Sequence, residues 1–164
     1  MFIAVSPRGL TEIRFLEKGK EPPEKKGDAR QEDMLAKTAR QLEEYYAGSR
    51  RIFAIPIDWS ILSPFRKRAL QAAACIPYGS VITYRALAKA AGNPAAARAA
   101  GGALAHNPWG IIVPCHRVVG ADGALHGFSA PGGLESKARL LRHEGLQVKD
   151  GKVKISPVSP SDTL

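Results

Sequence analysis

The residues with the greatest capacity for chemistry stand together at Pro114-Cys115-His116-Arg117, a thiol followed by an imidazole and a guanidinium. The thiolate is the reactive form of cysteine, a free thiol ionises near pH ~8.5, and neighbouring His116 and Arg117 offer donors and positive charge that lower this value. The apolar residues 111–113 (Ile-Ile-Val) predict a short strand that Pro114 ends, so the sulfur is set where a buried element meets a turn. A cysteine also serves simply as a small buried apolar side chain. That is the reading for Cys75, which falls on an alanine-rich stretch with no histidine nearby. Zinc binding is the other common use of these residue types, but Cys115, His116, His126 and His143 lack paired zinc-ligand spacing, and no metal is predicted. Two cysteines are too few for a disulfide framework, which leaves both as thiols in a reducing compartment.

The elements that must hold this segment are helical. Ser63 as cap, Pro64 at the first helical position and apolar Phe65, Ala69, Ala72 and Ile76 predict a helix that Pro77-Tyr78-Gly79 stops. Thr83 caps a second helix over 84–91, which Gly92 ends, and Asn93-Pro94 opens a third that runs to about Ala105. Two short helices joined by Gly-Asn-Pro fit a helix-turn-helix and equally an ordinary helical pair. The third helix carries one long basic side chain, Arg98, among very small residues, and its Gly101 and Gly102 each cost about 1 kcal/mol relative to alanine. That cost calls for a close approach, either by a packed protein neighbour or by a DNA groove.

The N-terminal half reads differently. Residues 2–5 and 11–16 predict two strands joined by a Pro-Arg-Gly turn, and residues 17–28 an exposed loop. Leu35, Thr38, Leu42 and Tyr45 at helical spacing, with Asp28 or Gln31 near the start and Gly48 at the end, predict a helix. Residues 53–57 predict a strand confined to a sheet edge by Pro56. The plan is a small α/β domain over 1–58, a mainly α domain over 63–150 and a loose tail over 151–164.

Composition limits what such a chain can do. Its 164 residues, 45% hydrophobic and 24% charged, describe a folded globular protein rather than a disordered or fibrous one. A net charge of +9 attracts phosphate backbones or anionic membrane surfaces, and charge alone does not choose between them. No apolar run approaches the roughly 20 residues that span a bilayer, and the N-terminus lacks a secretory pattern, so an intracellular, cytoplasmic chain with no membrane partner is expected.

Pro114-Cys115-His116-Arg117-Val118 resembles the active-site signature of the O6-alkylguanine-DNA alkyltransferases. The resemblance extends to Ile76-Pro-Tyr-Gly-Ser-Val-Ile-Thr-Tyr84, to Gly92-Asn-Pro-Ala-Ala-Ala-Arg98-Ala-Ala-Gly-Gly, to Asn107-Pro108 and to Leu140-Leu-Arg-His-Glu144-Gly145. It is strong over residues 63–146, whereas residues 1–58 resemble the family's ribonuclease-H-like domain in their order of elements. The resemblance implies a mainly α C-terminal domain with a helix-turn-helix that acts, as a monomer, on double-stranded DNA containing O6-alkylguanine, and also on O4-alkylthymine. Cys115 would take the alkyl group irreversibly in a single turnover that requires no cofactor, the activity of a methylated-DNA–protein-cysteine methyltransferase. His116 would deprotonate the thiol through water, Glu144 would orient the imidazole and Asn107 would brace the turn. Tyr84, the Val118 and Cys115 carbonyls, the Ser129 backbone N–H and Lys137 would receive the everted guanine. Thr83, Ala97, Arg98, Ala99 and Gly101 would meet the DNA, with Arg98 filling the gap the base leaves. Gly110 stands where some members carry proline, the loop 129–133 is longer than in some relatives, and the cysteines of a zinc site found in some N-terminal domains are absent. Two further classes share parts of this pattern. A non-catalytic lesion binder keeps the helices and the arginine but lacks the nucleophile, and a transcription regulator requires a preferred operator sequence.

Overall fold

Alternating apolar residues at the N-terminus form a hairpin, β1 (Phe2–Ser6) running antiparallel to β2 (Gly9–Arg14). The second strand begins two residues before the sequence reading put it, because Gly9 pairs directly with Ser6. Gly9 holds φ +148°, and a Cβ there would lie 2.6 Å from Pro56 O, so only glycine lets this strand reach the segment alongside. The computed structural model describes residues 1–15 and 28–155, which cluster into two units, Met1–Ile61 and Leu62–Leu164. The predicted loop over 17–28 lies, apart from Asp28, outside the described residues.

In the N-terminal unit, Asp28 caps α1 (Ala29–Tyr46) in a capping box with Gln31, which satisfies two backbone N–H groups that the first turn leaves without helical partners. The helix ends before Gly48, as predicted. Met34, Thr38, Gln41, Leu42 and Tyr45 form its buried stripe, and Leu10, Ile13 and Ile55 are the other buried apolar residues described in this unit. The strand predicted over 53–57 does not form. Pro56 has no N–H to offer, and the segment makes one isolated parallel bridge, Ile57 to Leu10, supported by Leu10 N donating to Pro56 O at 2.8 Å. Asp58 then turns the chain, its carboxylate accepting from Ser6 Oγ and Ser60 N.

The C-terminal unit opens with α2 (Pro64–Ala74), whose first position is Pro64 and whose N-cap Ser63 makes no side-chain bond. Its inward residues are Ala69, Leu70 and Ala73. Cys75, two residues beyond Ala73 and therefore about 200° around a helix of 3.6 residues per turn, is exposed, which corrects the reading of it as core. Thr83 Oγ1 accepts from Ala86 N and so caps α3 (Tyr84–Ala90), as expected. The next helix, α4 (Ala97–Ala105), starts later than Asn93-Pro94, because Asn93 Oδ1 accepts from Ala95 N and Asn93 O from Ala96 N, which closes a turn first. Ala69, Ala91 and Ala103 let α2, α3 and α4 pack closely. Two arginines of α2 seal the far ends of the other helices: Arg68 Nε donates to Ala91 O and Arg66 Nη2 to His106 O, the C-cap residues of α3 and α4.

Beyond the helices, β3 (Ile82–Thr83) runs parallel to β4 (Val118–Val119). After α5 (Gly133–His143), β5 (Val148–Lys149) and β6 (Lys152–Val153) form a terminal hairpin. Val81, Val119, Leu125, Ala138, Leu141 and Val153 share one core. The tail predicted over 151–164 is therefore ordered in its first part, since Val153 is buried and its N–H donates to Gly123 O at 3.0 Å; residues 156–164 lie outside the described ones. Gly123 holds φ +80° and a Cβ there would collide with Val153 O. Gly123→Ala is expected to cost more than about 1 kcal/mol, read as a lower urea midpoint with an unchanged m-value.

Candidate active site

Residues 111–113 are not the strand that their apolar character predicts. Ile111 adopts φ 76°, Val113 N donates to Trp109 O at 2.8 Å, and the segment folds into a buried turn. Asn107 is its brace, as expected: Nδ2 donates to Val113 O at 2.8 Å and Oδ1 accepts from Trp109 N at 3.0 Å. The chain then enters a single 3-10 turn, Cys115–Arg117, and leaves it as β4.

Cys115 lines a cavity of about 220 Å³ together with Tyr84, Gly101, Leu104, Ala105, His126, Gly127, Phe128 and Ser129. Burial pushes its thiol up, opposed by a hydrogen bond from the Asn107 side chain and by the Lys137 cation. This corrects the expectation that the Arg117 charge lowers it, because Arg117 spends that charge elsewhere, whereas the backbone N–H of His116 does favour the thiolate. Arg117 Nε and Nη2 donate to Glu144 Oε2 and Oε1 at 2.8 and 2.9 Å, and Nη1 donates to Ile76 O.

His116 is fully buried and its Nε2 lies 2.8 Å from Glu144 Oε1. An ionised carboxylate only accepts, so Nε2 carries the proton and Nδ1 presents a lone pair, which has no hydrogen-bond partner among the described residues. Burial holds the imidazole below its ordinary value, with Glu144 pulling it back up, so it is neutral at neutral pH. Burial works on the Glu144 carboxyl in the opposite sense, but the donors from His116 and Arg117 outweigh it and hold the group at about 2. Gly79 N adds a donor to Glu144 Oε2 at 3.2 Å.

Lys137 is fully buried, donating from Nζ to Val118 O at 2.7 Å and His126 O at 2.9 Å. Burial lowers it to about 8, with Cys115 working the other way. Val118 O, predicted to receive a guanine amine, thus already accepts a bond from Lys137. Tyr84 leans across the cavity, its OH donating to His126 O at 3.3 Å, its ring 5.9 Å from Lys137 Nζ and 3.6 Å from where a Cβ on Gly101 would be. Ser129 is exposed at the rim. Sequence reasoning missed His126 and Phe128 as lining residues and Gly79 as a donor to Glu144; the stretch Ile76-Pro-Tyr-Gly carried the only signal for the last.

The residues expected to meet DNA are not gathered into the cavity, Gly101 excepted. Arg98 and Ala99 are exposed on α4, Ala97 is half-buried, and Thr83 uses its hydroxyl as a helix cap. Gly102 faces open space, whereas Gly101 faces Tyr84. Charge is divided unevenly between the units. Leu62–Leu164 holds thirteen Lys and Arg against five Asp and Glu, and Met1–Ile61 holds eleven against ten.

The geometry sets a cysteine on a cavity wall, next in the chain to a buried His–Glu pair, an arrangement suited to chemistry at a thiol. The family follows from comparison. Residues 64–146 match the 6-O-methylguanine DNA methyltransferase, DNA binding domain, and residues 1–59 match the ribonuclease-like domain of the same methyltransferases. The chain belongs to this family. It is 40% identical over 150 residues to the methylated-DNA–protein-cysteine methyltransferase of Methanosarcina acetivorans, covering 88% of this chain and 91% of that one. It is similar in structure to Mycobacterium tuberculosis OGT in complex with DNA, with a TM-score of 0.72, 37% identity and coverage of 87% and 85%. It also resembles S. pombe Atl1 in complex with damaged DNA containing O6-carboxymethylguanine, with a TM-score of 0.51, 28% identity and coverage of 63% and 96%.

Removing Glu144 leaves the Arg117 guanidinium buried without its counter-ion. Glu144→Ala is expected to lower stability at neutral pH by about 3–5 kcal/mol. The native carboxyl titrates at about 2, below its ordinary 4.5, so its contribution is complete above about pH 4.5 and is lost as pH falls toward 2. Urea unfolding across this range checks both points, and the alanine variant lacks that part of the acid dependence.

Proposed function

We propose that this chain repairs DNA by moving the alkyl group of O6-alkylguanine irreversibly onto its own Cys115, once per molecule. The observation that carries this reading is a cysteine opening into a cavity beside a neutral imidazole whose Nδ1 lone pair is free, in a chain of the methyltransferase family. Cys115 Sγ attacks the alkyl carbon, a sulfur–carbon bond forms, the bond from that carbon to guanine O6 breaks, and guanine leaves with the proton that the thiol gave up. His116 Nδ1 carries that proton by way of water, and Glu144 keeps the ring in the required tautomer. Because burial favours the thiol, the thiolate forms as transfer proceeds, with the Asn107 amide and the Lys137 cation supporting it. This suits a sulfur that must resist stray electrophiles.

A stacked guanine cannot bring its O6 substituent to this sulfur, so the nucleotide is rotated out of the duplex. In this reading α3 and α4 act as a helix-turn-helix, α4 lies along the minor groove, and exposed Arg98 occupies the position of the everted base. Gly102, facing open space, lets a groove approach the backbone. Tyr84, Lys137, the Val118 carbonyl and the Ser129 N–H hold the base. The excess of basic residues in this unit supports phosphate contact with little sequence preference. The partner is double-stranded DNA and the acting species a monomer. Non-catalytic lesion binding is the second reading, favoured by the likeness to Atl1 and opposed by the nucleophile in the cavity.

Incubation with a duplex containing O6-methylguanine is expected to restore guanine and add one methyl to the peptide holding Cys115, seen by mass spectrometry, and Cys115→Ser is expected to bind DNA without transfer. Restored guanine with an unmodified Cys115 defeats this mechanism. Arg98→Ala is expected to slow single-turnover transfer from duplex DNA far more than from a free O6-alkylguanine base, which needs no extrusion.

A further inference from the structure

Arg117 does not line the cavity, yet it is 5% exposed and makes a two-point pair with the carboxylate that also receives His116. Glu144 Oε1 accepts from His116 Nε2 and Arg117 Nη2, and Oε2 from Arg117 Nε and Gly79 N. These bonds fill the four lone-pair directions that a carboxylate offers. The guanidinium is fixed in turn by Ile76 O and lies 5.8 Å from the centre of the Tyr78 ring, whose OH donates to His143 O at 2.9 Å. From this geometry we infer that Arg117 is a positioning residue of the proton relay: by occupying the carboxylate of Glu144 it denies that carboxylate a proton and weakens its hold on a charged His116.

The inference rests on the proposed transfer reaction and says how the relay avoids a trap. A histidine paired with a carboxylate of undivided charge binds a proton firmly, and one that is already protonated cannot accept the proton of Cys115. Here the charge of Glu144 is divided between two partners. When Nδ1 takes the thiol proton, the Nε2 proton has no site to move to on a carboxylate already filled with donors, so the imidazolium remains the carrier and releases the proton toward the departing guanine. The charged groups that act on His116 are Glu144, which favours the imidazolium, and Arg117 and Lys137, which oppose it. Arg117 is joined to the same carboxylate, so its removal both frees Glu144 and withdraws a repelling cation. The two effects act in one direction, toward a more basic His116.

The test is the rate of single-turnover methyl transfer from an O6-methylguanine duplex to Cys115 between pH 5 and 9 for the wild-type protein, Arg117→Gln and Arg117→Lys, with folding checked by circular dichroism at each pH. Arg117→Gln is expected to move the acid limb of the rate upward by about 1–3 pH units, the size of effect that one nearby charge exerts. Arg117→Lys, which keeps the charge, is expected to stay near the wild-type position. An unmoved limb in folded Arg117→Gln, or a lysine variant that shifts as far as the glutamine one, overturns the assignment. Should Arg117→Gln not fold, histidine NMR of the wild-type protein decides: a neutral, Nε2-protonated His116 at pH 7 supports the inference, and an imidazolium at pH 7 overturns it. A wild-type protein that transfers no methyl group overturns the proposed function instead, which the Cys115 mass measurement reports separately.

Discussion

The Glu144 carboxylate sits at the C-cap of α5, where the partial negative charge of the helix end opposes it, and it is sealed from water. An ion so placed costs several kcal/mol in lost hydration unless charge and hydrogen bonds replace the water. The replacements come from two separate stretches of chain: His116 and Arg117 from the turn after Pro114, and, from the loop that follows α2, Gly79 directly and the carbonyl of Ile76 through Arg117. One buried charge thereby fixes where the end of α5, the turn that carries Cys115 and the Ile76–Gly79 loop must meet. Cys115 is one residue away from the residues so fixed, and its position is inherited from them.

This arrangement separates two demands that a nucleophile in a cavity places on its surroundings. The sulfur must be reachable, and Cys115 opens into the space bounded by Tyr84, Phe128 and Ser129. It must also stay unreactive until a ligand arrives, and burial provides that by favouring the thiol. The imidazole of His116 is placed out of sight of solvent, neutral and held in one tautomer by Glu144. Lys137 serves both sides, since its ammonium braces the carbonyls of Val118 and His126 while its charge favours the thiolate.

The helices on the other side of the cavity are built to come close. Alanine at Ala69, Ala91 and Ala103 removes side-chain bulk between α2, α3 and α4, and Arg66 and Arg68 satisfy carbonyls at the ends of the latter two. Basic residues in this unit therefore divide into those committed to internal carbonyls or carboxylates and those, such as Arg98, that face outward. Gly101 and Gly102 divide likewise, one toward the Tyr84 ring and one toward open space.

Much of the site was legible in the order of residues because local chemistry fixes it. Asp28 and Thr83 announce helix starts, Gly48 and Gly92 announce ends, and Pro114-Cys115-His116-Arg117 sets a thiol, an imidazole and a guanidinium side by side. Other readings failed where a distant partner overrides local preference. Apolar residues 111–113 form a turn because Asn107 and Trp109 hold it, residues 53–57 stop at one bridge, Cys75 faces outward, and Val153 is drawn into the core by Gly123. The largest difference concerns charge. By itself the sequence determined which groups stand beside the sulfur, since neighbours in a chain are given by covalent order. Only the tertiary structure decided what each charge faces, because electrostatic interaction depends on distance and burial in space, and there Arg117 turns to Glu144 while Lys137, twenty-two residues away in sequence, supplies the cation near Cys115.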